Sequence, residues 1–566
     1  MIARCGWFSF ADDLVTLLAL QRALLILLSL VLAAPVAGVL LSWLRLDGQA
    51  LAVLSHQAET VMAGYAGQSL VLAGGVALGT ALLGVCTAAA VALFRFPGHR
   101  FFEWGLLLPM AMPAYVLAYV ATDALQPSGP VQQALRQALG AGAGEPWRWW
   151  PDVRSLGGAI PLFVLCLYPY VYLLTRTALG DRAVQMMEAA RLLGAGLARR
   201  LLTVALPLAR PAVVAGVALA LMETLADYGV GAYFGLSTFT TGIYRAWLSM
   251  NDPVAASQLA SLLLVVVAVL LTLERRAQSR LRFATSRNGA THATEARPVV
   301  LGGAVAWAVT ALCLLPVLLG FALPVAWLLG MLWREAQYGE VGLPLARFGE
   351  WAWATFRLAG LSALAATAVA LALGFSLRQP RGGRLGAGLG LGLGLAARVL
   401  SLGYAVPGAV VAIGILVPLG WAQQRWPESG WTPWFTGTLL GVVYAYLVRF
   451  SSVALQTVES GYARMPGSVD ETARMLGAGR ARLFWRLHLP LLRKPALAAL
   501  LLVFVDVMKE LPATLVLRPF GSDTLAVVAY NLARDERLAE AALPSLAIVA
   551  VGLLPVILLS RALRQD

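Results

Sequence analysis

Long apolar runs separated by short polar stretches are the dominant pattern along this 566-residue chain. A helix needs roughly 20 consecutive apolar residues to cross a bilayer, and runs of this length recur from one end of the chain to the other. The pattern predicts an all-α membrane protein. We expect about twelve transmembrane helices, near residues 24–44, 68–94, 101–124, 157–175, 208–226, 253–274, 299–332, 354–377, 386–419, 435–458, 495–514 and 541–560.

One polar segment occurs twice. The string EAARLLGAG begins at Glu188, and ETARMLGAG begins at Glu471; aligning these two glutamates defines the repeat register. Each copy falls between the fourth and fifth predicted span of a set of six, so the two six-helix repeats are parallel rather than inverted. The sequence therefore predicts a first transmembrane half at 1–274, a polar cytoplasmic linker at 275–298 and a second transmembrane half at 299–566.

The two copies match over whole loops, 181–207 and 464–490. Gly194 and Gly477 stand at the same spacing after the acidic residue, and each copy ends in a Leu-Pro pair. We expect a short helix, a break at the glycine, a second short helix, and a proline at the entry to the next span. Glycine suits the break because a Cβ atom would hinder the turn.

The side chains beside these breaks divide into small and bulky sets. The small ones leave a low surface that another protein can approach closely: Ala189, Ala190, Thr472 and Ala473. The bulky ones are expected to face the membrane protein itself: Leu192, Leu193, Met475 and Leu476.

This arrangement resembles the signature loop of the membrane subunits of binding-protein-dependent ABC importers. The family pattern is Glu-Ala-Ala, three residues, Gly, nine residues, an aliphatic residue, one residue and Leu-Pro, and only Thr472 departs from it. The resemblance implies a type I ABC importer transmembrane fold, two copies of a cytoplasmic ABC ATPase and a periplasmic substrate-binding protein. It also implies that the ATPases dock on two sets of residues: Glu188, Ala189, Ala190 and Gly194, and Glu471, Thr472, Ala473 and Gly477.

The chain lacks the means to hydrolyse ATP itself. A phosphate-binding loop requires a lysine directly after a glycine, and the only two lysines, Lys494 and Lys509, follow arginine and methionine. ATP and Mg²⁺ are therefore expected on the partner ATPase, with no cofactor in this chain. The four cysteines and four histidines are scattered without the spacing of a metal site, and no catalytic constellation stands out, so we expect a transport subunit rather than an enzyme.

Composition and charge agree with a membrane protein. The chain is 59% hydrophobic and 13% charged, whereas soluble domains have about 25% charged residues. The net charge of +14 reflects Lys and Arg concentrated in the segments that face inward when both termini are cytoplasmic, as the positive-inside rule requires. We expect a multi-pass protein of a bacterial inner membrane, embedded in the lipid bilayer and without a nucleic-acid partner.

Charged residues inside membrane spans suggest function. Glu223 and Asp227 end the fifth span of the first half, and Asp506 and Glu510 end that of the second. The members of each pair stand at positions i and i+4 and so lie on one helix face. The four carboxylates are candidates for lining a translocation pathway, and hard oxygen ligands suit hard cations such as ferric iron.

The alternative is that these acids are structural. In that case Glu510 pairs with Lys509 or with an arginine, and Asp227 is a loop residue at the water boundary. Aligning Met222 with Met508 offsets the two acidic pairs by a residue or more. Strict two-fold equivalence of the acids is therefore not expected.

The substrate is indicated only by further resemblance. Residues 223–247 and 508–527 are similar to the fused permeases of ferric-iron ABC importers. Thiamine, a phosphonate or another small solute is the alternative cargo within the same class. An ion-coupled secondary transporter is the remote alternative, and it would leave both loops without a role.

Overall fold

The computed structural model describes residues 5–45, 48–138, 152–179, 181–286, 299–339, 342–379 and 383–562, and helix dominates them. The helices of the N-terminal part are α1 (Cys5–Leu41), α2 (Gly48–Thr60), α3 (Met62–Leu93), α4 (His99–Gly105), α5 (Ala114–Leu125), α6 (Pro130–Ala138), α7 (Leu156–Ala178), α8 (Asp181–Leu192), α9 (Leu197–Arg200), α10 (Leu206–Ala226), α11 (Gly229–Tyr233), α12 (Phe239–Tyr244) and α13 (Pro253–Ser286).

The C-terminal part continues in the same manner. Its helices are α14 (Gly303–Val317), α15 (Leu323–Tyr338), α16 (Leu345–Arg378), α17 (Gly383–Leu400), α18 (Gly408–Arg425), α19 (Trp431–Gly437), α20 (Leu440–Ala463), α21 (Gly467–Met475), α22 (Arg480–Arg482), α23 (Leu489–Leu491), α24 (Arg493–Met508), α25 (Pro512–Leu517), α26 (Leu525–Arg534) and α27 (Leu538–Ala562). Short 3₁₀ segments lie at Ser42–Arg45, Leu108–Ala111, Gly403–Ala405 and Pro427–Ser429, and π-helical turns at Leu201–Ala205, Arg245–Ser249, Leu318–Ala322 and Leu483–His488.

Within the described residues, ten helices are long and apolar enough to cross a membrane, or eleven if one bent pair is counted as a span. The all-α membrane fold is thus confirmed, with two departures from the twelve expected spans. Residues 99–138 bend by 87°, at a point where Pro113 lacks the N–H that would continue a helix. The expected span at 495–514 is the 16-residue helix α24, which ends at Met508.

Part of the predicted linker is helical. Helix α13 continues through residues 275–286, which the sequence assigns to the linker, and residues 287–298 lie outside the described part. Directly after them, β2 (Val299–Val300) pairs in parallel with β1 (Phe94–Arg95), with Phe94 opposite Val299 and Arg95 opposite Val300.

The helices form two compact units, which do not coincide with the two sequence halves. Unit 1 contains the described residues of Met1–Arg45 and Ala352–Thr524, and unit 2 contains those of Leu46–Trp351 and Leu525–Asp566. Helix α1 therefore packs with second-half helices, while α14, α15, α26 and α27 pack with first-half helices. The boundaries 1–274 and 299–566 remain a prediction about the sequence repeat. Each compact unit combines helices from both sequence halves.

In unit 1, α1 packs on α17 and α18, and its contact with α18 depends on glycine. A Cβ atom on Gly414 would lie 2.1 Å from the carbonyl oxygen of Pro35, and one on Gly38 would lie 2.8 Å from the carbonyl oxygen of Gly414. Small residues of this kind let helix backbones approach closely in a bilayer, where van der Waals packing drives association. The two glycines thus fix the seat of α1.

In unit 2, α3, α7 and α10 pack against one another, and α10 also packs on α13. Glycines again set the distance, because Cβ atoms on Gly84 and Gly216 would each come within 2.6 Å of Val171. The apolar core of this unit extends from α3 to the loop that follows α7, where Leu179 and Met187 are buried. The loop that carries the first repeated motif is therefore seated directly on the core.

Replacing Gly414 by alanine should weaken the seat of α1. Overpacking a close contact costs about 1–3 kcal/mol, so we expect the Gly414→Ala chain to melt at a lower temperature than the wild type in detergent. The matched control is Gly420→Ala in the same helix, where a Cβ atom would meet nothing within 4 Å. Equal melting temperatures of the two variants would contradict the close contact.

Candidate functional site

The first repeated loop ends its leading helix, α8, in a Schellman motif. The N–H of Gly194 donates to the carbonyl of Arg191 at 2.9 Å, and the N–H of Ala195 donates to that of Ala190 at 3.0 Å. Gly194 has φ of +82°, a conformation that residues with a Cβ atom rarely adopt. The glycine break expected from the sequence is therefore present, and glycine is required there.

The second loop repeats this geometry bond for bond. The N–H of Gly477 donates to Arg474 at 2.9 Å, the N–H of Ala478 donates to Ala473 at 3.0 Å, and Gly477 has φ of +75°. In the repeat register, every donor and every acceptor coincides with its counterpart in the first loop. The repeat in the sequence is therefore also a repeat in backbone structure.

Both loops then enter the next helix in a similar way. A π-helical turn lies near the end of each one, at Leu201–Ala205 and at Leu483–His488. Pro207 and Pro490 lie in the first turn of the helices that come next, where the missing N–H of proline costs no hydrogen bond. π-Helical turns occur often at functional sites, and here each one joins a loop to the membrane bundle.

The loops present both polar and apolar side chains to the outside. Glu188 and Glu471 are exposed, as are Ala189, Gly194, Thr472 and Gly477, while Ala190 and Ala473 are half-buried. The bulky pairs were expected to face the protein, and this expectation is wrong. Their exposed fractions are among the largest of all the bulky apolar residues: Leu192 88%, Leu193 88%, Met475 89% and Leu476 80%.

This exposure has a direct physical reason. The first member of each pair, Leu192 or Met475, ends its helix, and the second lies in the turn just before the left-handed glycine. Leucine and methionine side chains in water lose the free energy that burial would provide, of order 1.5–3 kcal/mol each. Repeated apolar exposure at equivalent places is typical of a surface that a partner covers.

The loops differ in how they are held to the bundle. In the first loop the residue before the glutamate is Met187, which is buried with Leu179 and Ala205 in the apolar core of unit 2. In the repeat register, the matching positions of the second loop are Asp470, Tyr462 and His488. The first loop is thus held by apolar packing, and the second by a buried polar network.

That network joins the second loop to α16 and α20 in unit 1. Arg378 Nε donates to Asp470 Oδ2 at 2.5 Å, and His488 Nε2 lies 3.0 Å from Asp470 Oδ1. The hydroxyl of Tyr462 lies 3.1 Å from His488 Nδ1. Arg378 also donates to the carbonyls of Tyr462, Met465 and Pro466 at 2.9–3.1 Å. It therefore links the end of α16 to the end of α20 and the start of the second loop.

The protonation state of His488 follows from these contacts. Burial lowers the pKa of its imidazole below the ordinary value, although the Asp470 carboxylate opposes this shift. In the neutral ring, Nε2–H donates to Asp470 and Nδ1 accepts from the Tyr462 hydroxyl, which satisfies each group once. Because the pKa of His488 is lower in the folded chain, the neutral ring stabilises the fold fully above the pKa of the unfolded chain, about 6.5. This stabilisation is lost as the pH falls below that value.

Of the four candidate pathway acids, Asp227 and Glu510 each cap a short helix. Asp227 Oδ1 accepts from the N–H of Val230 at 2.8 Å at the start of α11. Glu510 Oε1 accepts from the N–H of Ala513 at 2.9 Å at the start of α25. The repeat register aligns Asp227 with Glu510 and Glu223 with Asp506, so the expectation that the acids are offset is wrong. The register of the loops continues through these acids.

Their charge partners differ between the repeats. Glu510 is buried and forms an ion pair with Arg449 at 3.2 Å, and it accepts from the Thr514 hydroxyl at 2.6 Å. Asp506 pairs with Lys509 at 2.9 Å. The position equivalent to Arg449 in the first half is Cys166, which supplies no charge to Asp227. The structural alternative thus describes Glu510, while a role of the four acids in a pathway stays a prediction.

Asp227 also borders a small cavity in unit 2. The polar members of its lining are Ser69, Thr224, Asp227, Thr238 and Thr240. Among the described residues, no group of three or more His, Cys, Asp and Glu side chains is placed to hold a metal ion. The polar network of the second loop was not predicted from the sequence. The alignment of Asp470 with the apolar Met187 in the repeat was a usable signal for it.

Replacing Asp470 by asparagine should loosen the second loop. The change leaves Arg378 without its carboxylate, and a hydrogen bond to a charged group contributes about 1.5–3 kcal/mol. We expect faster hydrogen exchange at the amides of α21 than in the wild type. Met187→Leu is the matched control in the first loop, where a volume-conserving change should leave exchange unaltered. Unchanged exchange in Asp470→Asn would show that the network does not hold the loop.

Comparison with known proteins adds an independent line of evidence. The family described as binding-protein-dependent transport system inner membrane component matches residues 80–282 and 389–565, one match in each half. The Fe(3+)-transport system permease protein FbpB 2 of Haemophilus influenzae is 23% identical over 491 residues, which cover 86% of this chain and 87% of that protein.

Two further relatives match only part of the chain. A Salmonella typhimurium permease, provisionally named for 2-aminoethylphosphonate transport, is 31% identical over 167 residues, or 30% of this chain and 60% of that protein. The molybdenum transport system permease protein ModB of Escherichia coli is 29% identical over 139 residues, or 25% of this chain and 57% of its own.

Proposed function

Because the chain belongs to the family of binding-protein-dependent transport system inner membrane components, we propose that it forms the translocation pathway of an ATP-driven importer for ferric iron. Membership makes it a multi-pass inner-membrane transport subunit rather than an enzyme, working with an ATPase and a substrate-binding protein. The two family matches agree with a fused, two-half permease.

The observation that carries the coupling mechanism is the pair of loops with identical hydrogen bonds and exposed apolar pairs. We assign one cytoplasmic ATPase to each loop, with ATP and Mg²⁺ bound on the ATPases. Leu192 and Leu193, or Met475 and Leu476, provide apolar area for the partner, and Glu188 and Glu471 supply exposed carboxylates for its arginines. When ATP draws the ATPases together, each loop transmits the movement through its π-helical turn to the following helix.

Ferric iron is favoured over the other cargoes by the extent of the similarity. The Haemophilus influenzae relative, whose name gives Fe(3+) as its substrate, is matched over 86% of this chain. The phosphonate and molybdenum relatives are matched over 30% and 25%. Thiamine, a phosphonate or another small solute remains the alternative, and a secondary transporter would not need two docking loops.

Reversing both loop glutamates should uncouple the importer. In the Glu188→Arg, Glu471→Arg chain, like charges would oppose each other across the ATPase contact, at a cost of several kcal/mol. We expect transport at background level with a normal amount of chain in the membrane. Glu428→Arg, a reversal at an exposed acid outside both loops, should transport normally. Unchanged uptake by the double variant would remove this role.

The cargo is tested by uptake in a strain that lacks this chain. We expect loss of ⁵⁵Fe uptake from ferric citrate, restored by the wild-type chain, with thiamine and phosphonate uptake unaffected. A protonophore applied while ATP is held constant should not stop the restored uptake, because the energy comes from ATP. Normal ⁵⁵Fe uptake combined with lost thiamine uptake would replace iron by thiamine, and collapse with the protonophore would favour a secondary transporter.

A further inference from the structure

Six of the chain's 15 tyrosines make ring contacts with one another in unit 2, and one of them, Tyr228, directly follows Asp227. They form two sets of ring contacts, whose members are Tyr115, Tyr119 and Tyr233 in one and Tyr228, Tyr244 and Tyr530 in the other. The helices that carry most of them, α5, α11 and α26, all pack against one another. Tyr530 lies beside these residues because α26, a helix of the second sequence half, packs in unit 2.

Two of the hydroxyl groups face each other. Tyr530 Oη donates to Tyr228 Oη over 3.5 Å, and Tyr228 directly follows Asp227. A small hard cation binds oxygen at about 2.1 Å, so a single ion can bridge oxygens up to roughly 4 Å apart. The separation of the two phenol oxygens therefore fits one ion held between them.

A third hydroxyl is buried without a partner. Tyr119 is 2% exposed, and its Oη makes no hydrogen bond within the described residues. Its ring lies 4.9 Å from that of Tyr233, and its helix α5 packs on α26, which carries Tyr530. A buried, unbonded hydroxyl costs about 1–3 kcal/mol, and the ring of Tyr119 contacts those of Tyr115 and Tyr233. Tyr233 is already held by Arg154, which donates to its hydroxyl at 3.2 Å.

The second repeat has the same helix cap without the surrounding tyrosines. Glu510 caps its helix as Asp227 does, but Arg449 neutralises its charge. Leu511 stands at the position of Tyr228. Since Pro113 and Pro407 precede α5 and α18 in the same way, Tyr119 corresponds to Ile413. Capping a helix therefore requires neither the tyrosines nor an uncompensated carboxylate.

We propose that Asp227, Tyr119, Tyr228 and Tyr530 form a transient binding site for ferric iron, and that the substrate path is asymmetric between the repeats. The proposal rests on ferric iron being the cargo. The Asp227 carboxylate and the phenolates of Tyr228 and Tyr530 balance the three charges of Fe³⁺, and Tyr119 contributes a neutral phenol oxygen. Tyr228 and Tyr530 each release one proton to water when they bind, and the iron is neither oxidised nor reduced. The site serves the passing substrate and is not a resident metal centre.

The test uses the assembled importer in lipid nanodiscs, with ferric citrate as the probe. Phenolate bound to Fe³⁺ produces a charge-transfer absorption in the visible region, and ⁵⁵Fe retained on the protein gives the affinity. We expect the absorption in the wild type and its loss in the Tyr228→Phe, Tyr530→Phe chain. Asp227→Asn keeps a side-chain cap and should weaken binding by at least the 10–100-fold that loss of a supporting group costs at metal sites.

Tyr168→Phe is the matched control. Tyr168 is a buried tyrosine of the same unit that donates to the carbonyl of Leu106 at 2.7 Å, away from Asp227 in this network. The Tyr168→Phe variant should retain the wild-type absorption. The melting temperatures of all variants establish that they are folded. Absence of the absorption in the wild type, its persistence in the folded double variant, or an equal loss in Tyr168→Phe would each overturn the site.

The outcome is separable from that of the proposed function. If cells take up ⁵⁵Fe through this chain and the importer shows no absorption, the site is refuted and the function stands. If the importer shows the absorption and cells take up no ⁵⁵Fe, the site binds a hard cation and ferric transport is refuted.

Discussion

A helix that begins inside an apolar bundle leaves backbone N–H groups that only the protein can satisfy, because the bilayer offers no water. Both repeats of this chain meet the constraint at the same place. After α10 and after α24 the chain breaks, and a carboxylate, Asp227 or Glu510, accepts from the first amides of the short helix that follows. At this break Glu510 is buried in unit 1, and Asp227 is half-buried in unit 2.

The two repeats share this backbone design and differ in the side chains that support it. The loops keep the same hydrogen bonds at Gly194 and Gly477, yet one is seated by Met187 and the other by Asp470. The caps are equivalent, yet within the described part of the chain only Glu510 of the two has an arginine partner. Shared backbone geometry explains why two ATPase contacts can work alike. The different side chains at equivalent positions allow one repeat to have a polar function that the other lacks.

The sequence predicted the membrane class, most spans and both glycine breaks, because these depend on local periodicity and on the conformational freedom of glycine. It did not predict the exposure of Leu192 and Leu476. The rule that bulky apolar residues are buried describes a chain by itself, and a surface reserved for a partner departs from it. Nor did it predict the polar network, since Asp470 finds its partner in Arg378, on a helix far earlier in the chain, and periodicity carries no information about such pairs.

The exchange of helices between halves was equally hidden, because nothing in the amphipathic pattern of α1 states which half it packs on. The reason lies in a few close contacts. Gly38 and Gly414 admit α1 to the surface of α18, and α26 and α27 complete unit 2 from the far end of the chain. Each compact unit therefore needs segments of both halves. Joining the halves in one polypeptide keeps these segments together, and in unit 2 the hydroxyl of Tyr530 from the second half reaches that of Tyr228 in the first.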